Sequence, residues 1–337
     1  PEAVALGERI LAVEGLMGPQ RRATTLLRLA EGLVAVGRRD PARAAAIEAE
    51  SLALSAKDET LAARAALVLG RNFLITGAHD DADVALHRAL EGARAHEDRA
   101  TEADALRSLG LVLFFRERFD EARDHVEAAG AIRHEIGDRH GQVDQAGSLA
   151  EIDYATGRLD DARAGFERAI VLAREAGNPR GESRCTGNLA LVVREQGRLD
   201  EALLLAKRHW QTARETGNRG GETVALGSQG VITRDLGLLD ESRDFLERYI
   251  ALSREIGNRR GEVIGLLNLG ITLADMGDAA GVARLRESRL LALEFGVRQA
   301  AAAADVAQGE WFVRVGDHDT ARAALDSAVE LLADAAY

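Results

Sequence analysis

Lysine is nearly missing from this 337-residue chain: Lys57 and Lys207 are the only two, and the other 41 of its 43 basic residues are arginine. With abundant alanine and glycine, that bias points to a GC-rich bacterial source. Cysteine is scarcer still. Cys185 stands alone, which excludes an internal disulfide and fits a reducing, cytoplasmic compartment. Aromatic residues make up only 4% of the chain against 46% hydrophobic residues, so alanine and leucine must pack the core. No apolar run approaches membrane-spanning length and no signal-peptide pattern is visible, so no membrane partner is expected. The net charge of −12 argues against nucleic acid, whose phosphates call for clustered cations.

Catalytic and metal-binding patterns are also missing. The histidines are scattered, with neither an HExxH motif nor paired cysteine ligands. No glycine-rich turn is followed by Gly-Lys-Ser/Thr or preceded by a strand, so no phosphate-binding loop is read. His79-Asp80-Asp81-Ala82-Asp83 and Asp317-His318-Asp319 look like metal clusters, but both fall where every repeat needs helix-capping acids. Cys185 shares a column with Ala65, Ala105 and Ala225 and reads as a small buried residue. Trp210 shares one with Ile10, Leu90, Ile170 and Ile250 and reads as core. The expectation is a non-enzyme without cofactor or metal.

What the chain does have is a period. Gly37, Gly77, Gly157, Gly197, Gly237 and Gly277 are forty residues apart, with Glu117 as the one exception and Gly316 one residue early. Asp40, Asp80, Asp120, Asp160, Asp200 and Asp240 stand three residues after the positions 37 to 237 of this series. A period of this length means a solenoid, whose units bury their apolar faces against their neighbours. In the unit 177–217, residues 177–182 read as a turn and Ser183–Gln196 as a helix closed by Gly197. Asp200 then reads as the cap of a second helix, with Pro41 at the equivalent first helical position of an earlier unit. Two helices per unit and short turns give helical hairpins, about seventeen helices and no strands.

The columns agree. Leu29, Leu69, Leu109, Leu149, Leu189 and Leu269 align, with Gln229 the exception. The next column, Ala30, Gly70, Gly110, Ala150, Ala190, Gly230 and Gly270, admits only small residues and implies close helix approach. Residues 1–18 read as a half repeat. Full repeats follow at about 19–56, 57–96, 97–136, 137–176, 177–216, 217–256, 257–295 and 296–337, with a phase slip near Asp278–Ala283 and a last hairpin beginning at Trp311. The half repeat suggests that the parent protein continues upstream, or that this end meets a partner.

These small-residue columns, the segments Asn188-Leu189-Ala190 and Asn268-Leu269-Gly270, and turns such as Gly257-Asn258-Arg259 resemble tetratricopeptide repeats of the long, forty-residue type. The pattern is similar to that of the Pins/LGN spindle-orientation adaptors, and to repeats in bacterial multidomain signalling proteins that carry CHAT protease, NTPase or transcription-factor domains. The resemblance implies an all-α, right-handed superhelical solenoid of antiparallel helix pairs, in which first helices line a concave groove. It speaks to fold more than to function, which lives in the site.

Carried onto this sequence, the groove columns are Glu31, Arg71, Leu111, Glu151, Leu191, Val231 and Ile271; Arg64, Asp104, Asp144, Arg184, Val224 and Ile264; and Ser108, Ser148, Asn188, Ser228 and Asn268, with Arg194 and Arg234 one turn further on. The adaptors carry asparagine in the first of these columns, whereas here it turns apolar from Leu191. Val224, Val231, Ile264 and Ile271 either line the groove or pack between first helices. The partner-binding candidates are therefore Glu151, Tyr154, Arg184, Asn188, Leu191, Arg194, Val231, Arg234 and Asn268. They suit a protein or peptide with an apolar anchor and an acidic residue, held by a scaffold within a larger bacterial signalling or regulatory protein. The alternative is a ligand-sensing module resembling MalT-type regulators, with a small molecule enclosed by Arg184, Arg194 and Tyr154.

Overall fold

The computed structural model describes residues 2–13, 15, 17–35 and 37–333, and these form seventeen α-helices with no strand among them. They fall into two compact units, Pro1–Leu172 and Ala173–Tyr337. The first contains α1 (Glu2–Leu11), α2 (Pro19–Ala35), α3 (Arg39–Ser55), α4 (Glu59–Thr76), α5 (His79–Ala95), α6 (Arg99–Phe115), α7 (Phe119–Glu135), α8 (Arg139–Ala155) and most of α9 (Leu159–Glu175). The second contains α10 (Pro179–Glu195), α11 (Leu199–Glu215), α12 (Arg219–Asp235), α13 (Leu239–Glu255), α14 (Arg259–Asp275), α15 (Ala280–Glu294), α16 (Arg298–Arg314) and α17 (His318–Ala333). The fold is an all-α repeat of antiparallel hairpins.

The forty-residue period has a simple origin. Most helices have seventeen residues, and three-residue links join them, so two helices and two links complete a unit. Each link takes the chain through the left-handed region. Gly77 (φ 80°) and Gly237 (φ 77°) do so without steric cost, and Glu117 (φ 59°) adopts the same conformation where the glycine series is broken.

The caps lie elsewhere than the aspartate column. Asp200 is the second residue of α11, whose N-cap Arg198 makes no side-chain capping bond, and Asp120 and Asp240 sit likewise behind Arg118 and Leu238. These acids therefore favour the positive helix end without capping it. Pro41 is the third residue of α3, still among the positions whose N–H has no intrahelical partner. Side-chain caps occur in a different column, at the start of the first helix of each pair. Asp58, Asp98, Asp138, Asn178, Asn218 and Asn258 accept bonds from Leu61, Thr101, Gly141, Gly181, Gly221 and Gly261 N–H respectively. Helix α10 thus starts at Pro179 rather than Ser183, because Asn178 caps it, and the Gly-Glu of the supposed turn forms its first turn. Asp317 does cap, accepting from Thr320 N–H at 3.1 Å.

The small-residue column is fully buried and faces side chains of the paired helix. A Cβ on Gly70 would lie 2.6 Å from Leu86 Cγ, and one on Gly230 2.7 Å from Leu246 Cδ2. The closest backbone approach is at the phase slip, where a Cβ on Gly281 would lie 2.6 Å from the Gly270 carbonyl oxygen. Trp311 lies inside α16, so the last hairpin begins at Arg298. Cys185 is buried.

Candidate functional site

The nine predicted site residues lie on first helices of both units. Glu151 and Tyr154 are half-buried on α8 of the first unit; the other seven belong to the second. On α10, Arg184, Asn188, Leu191 and Arg194 recur at intervals of three and four, which places them on one face. Val231 and Arg234 continue that face on α12, and Asn268 on α14.

The apolar members divide. Val224 is 54% exposed, whereas Ile264 packs against a core cluster that includes Tyr249, Leu266 and Leu269. Leu191, Val231 and Ile271 are half-buried. Asn268 donates from Nδ2 to the Ile264 carbonyl at 3.0 Å, so that donor is already used within its own helix.

The charged members form a ladder that sequence columns alone did not show. Arg194 Nε donates to Asp235 Oδ2 at 2.5 Å, and its Nη1 donates to Glu195 at 3.1 Å. One repeat later Asp275 stands where Asp235 stood, but Arg314 of α16 reaches it at 3.3 Å and also donates to the Ala274 carbonyl. Arg234 lies between the two. Its Nη2 comes only to 3.8 Å from Asp235, and its Nη1 is buried without a hydrogen-bond partner among the described residues. A buried guanidinium donor left unpaired is costly, which sets Arg234 apart from Arg194 and Arg314. Asp235 and Asp275 were missed from sequence. Their signal was the column Glu195, Asp235, Asp275, an acid every forty residues beside the arginines.

Other conspicuous residues have structural employment. Glu182 accepts from Arg174 and Arg208, and Glu262 from Arg254 and Arg259, so these acids tie neighbouring helices together as well as serving helix starts. His79 stacks on Phe115 with ring centroids 5.0 Å apart, and Asp80 binds Arg116 at 2.6 Å. Trp210 is half-buried beneath Arg214, whose guanidinium lies 4.7 Å from the ring centroid. His209 is buried, and desolvation pushes its pKa down to about 4, so its imidazole is neutral near pH 7. Among the described residues no group of three or more His, Cys, Asp or Glu side chains could hold a metal ion, and no helix is long and apolar enough to cross a membrane.

Comparison with known proteins bears on the fold. The family model for the tetratricopeptide repeat matches residues 146–215. No curated protein matches the sequence. Among solved structures, the chain is similar to the Rap conjugation gene regulator of plasmid pLS20 in complex with the Phr* peptide, at 16% identity and TM-score 0.68, covering 83% of this chain and 76% of that one. It is also similar to a Rap protein complexed with competence and sporulation factor, at 14% identity and TM-score 0.66 over 94% and 99% of the two chains. A third similar structure is a STAND protein with a tetratricopeptide repeat sensor from Pyrococcus horikoshii, at 13% identity and TM-score 0.58; there 97% of this chain matches 52% of that one. At these identities the likeness is one of fold: a tetratricopeptide-type helical-repeat solenoid.

Proposed function

We propose that the chain is a non-catalytic scaffold whose α10–α12–α14 face binds an extended peptide or protein segment. An acidic group of the partner pairs with Arg234, and an apolar side chain lies on Val224, Val231 and Leu191. The observation that carries this reading is the unpaired, buried Nη1 of Arg234 beside an exposed valine on the same helix. Arg184 and Arg194 lie on α10 of the same face, and Arg194 is already paired with Asp235. The fold supports the reading, since similar structures hold the Phr* peptide and competence and sporulation factor. Its finer parts, a place within a larger bacterial signalling or regulatory protein and a cytoplasmic setting, rest on the composition and on the repeat sensor of the similar STAND protein.

The test is an array of heptapeptides combining acidic and apolar residues, followed by fluorescence anisotropy with the peptides retained. Retained sequences are expected to share an acid, and Arg234→Glu is expected to weaken them about tenfold or more with helix content unchanged. Wild-type affinity in both Arg234→Glu and Arg184→Glu would remove the site from this face.

A further inference from the structure

A cleft of the first unit lies among α7, α8 and α9. Its volume is about 470 Å³, within the usual range for small-molecule sites. Three departures from the periodic pattern, involving five positions, come together here.

The first departure is an exchange of sizes. Elsewhere a large residue on a second helix meets a small one on the next first helix: Leu90 with Ala105, Ile250 with Gly265. Here the pair is Gly130 and Gln145. A Cβ on Gly130 would collide with the Gln145 amide, so the glutamine already leans into the vacated volume. The second departure is a lost ion pair. Arg94–Glu102 and Arg254–Glu262 join equivalent helices at 2.9 and 2.6 Å, whereas His134 and Gln142 occupy those positions here and make no such bond. The third is a wedge. Arg133 is buried in a column of small residues that includes Ala53, Ala93, Ala213 and Ser253, and it is tied to Asp104 and Asp138.

The lining has a consistent chemistry. Leu149, Leu172, Ala131, Ala146 and Ala150 give an apolar wall, and among the described residues the Gln145 amide has no hydrogen-bond partner. A polar annex of about 390 Å³ adjoins, and Asp153 and Arg168 line both spaces. Asp153 is neutralised by Arg123 at 2.5 Å and Arg158 at 2.9 Å. Arg168 is different: among the described residues it makes neither ion pair nor hydrogen bond, and neither does Glu127 at the cleft's other rim. An uncommitted guanidinium, an uncommitted carboxylate and an apolar wall surround one cavity.

We infer that this cleft binds a small zwitterion with an apolar body, such as an apolar amino acid or dipeptide. Its carboxylate sits on Arg168, its ammonium group on Glu127 and its side chains against Leu149 and Leu172. The inference is independent of the peptide-binding face, because it uses other residues in the other unit.

Isothermal titration of the full chain with leucyl-leucine, N-acetyl-leucine and leucinamide tests it. Leucyl-leucine is expected to bind with a Kd below about 1 mM, and N-acetyl-leucine and leucinamide, each lacking one charge, several-fold more weakly. Gly130→Leu fills the cleft and should abolish the heat of binding. Arg168→Gln, an exposed change that leaves the core alone, should weaken leucyl-leucine about tenfold. No binding of leucyl-leucine at about 5 mM would overturn the inference. So would leucinamide binding as tightly as leucyl-leucine, or wild-type affinity in Arg168→Gln.

Discussion

Two junctions within the first unit, α5–α6 and α7–α8, are built on the same template and end up opposite. At α5–α6, Leu90 fills its place against Ala105, and Glu102 is buried beneath Arg94 and Arg99, which reach it at 2.9 and 2.6 Å. At α7–α8, Gly130, Gln145, His134 and Gln142 stand at the same positions, and the space between the helices is open. Backbone and caps are shared, so the difference is one of side chains. Solenoid repeats tolerate such local departures because each hairpin leans only on its neighbours. Binding capacity can then arise wherever a repeat gives up a piece of its packing.

Breaking the closed junction should have the largest effect. Leu90→Gly removes a buried leucine from the α5–α6 core and adds a helix-interior glycine, which should cost about 4 kcal/mol, read by urea denaturation of the full chain. A loss below about 1 kcal/mol would mean that the column is not what closes the junction.

Closing the open junction should work the other way. Gly130→Leu with Gln145→Ala copies the Leu90–Ala105 pair into α7–α8. The double variant should gain about 1–2 kcal/mol, through better helix propensity and a filled space. Each single change should do worse than the pair, because leucine alone collides with the glutamine and alanine alone enlarges the void. A double-mutant cycle reads that coupling directly, and additive effects would show that Gly130 and Gln145 do not share one volume.

The fold was legible in the sequence because its marks are backbone requirements repeated every forty residues: left-handed link glycines and small residues at helix crossings. The capping column was misread for a physical reason. A link is so short that its left-handed glycine directly precedes the cap, so Gly-Asn-Pro-Arg-Gly looks like one long turn when it is an ending and a beginning. On the candidate face, columns identified the arginines. They could not reveal that Arg194 and Arg314 take the available aspartates and leave Arg234 short, since that depends on side-chain reach across repeats. The cleft was hidden differently. Its signal was a glycine at 130 in a column that holds Glu50, Leu90, Ile170, Trp210 and Ile250, and an exception is easy to pass over when the period itself is being sought.

The smallest effect separates what the two junctions share from what divides them. Both first helices are capped by aspartate. Burial opposes ionisation of Asp98, but hydrogen bonds from Arg64 and Thr101 outweigh it and hold the carboxyl below its ordinary range. At Asp138 burial is likewise outweighed by the Gly141 N–H and by Arg133. A depressed folded-state pKa means that the cap's contribution is complete above the unfolded value, about 3.9, and is lost as pH falls through the folded one. The second unit caps the equivalent helices with Asn178, Asn218 and Asn258, which do not titrate. Hydrogen exchange between pH 5 and pH 3 should therefore loosen the Thr101 and Gly141 amides together, and before those of Gly221 and Gly261. Asp98→Asn with Asp138→Asn should flatten that dependence at a cost of no more than about 1 kcal/mol per cap. Because the acid-labile element is common to both junctions, the contrast between the filled and the open one should survive at pH 3. If the open junction alone responded to acid, its looseness would have to be traced to the Asp104–Arg133–Asp138 tie rather than to the exchange of Leu90 and Ala105 for Gly130 and Gln145.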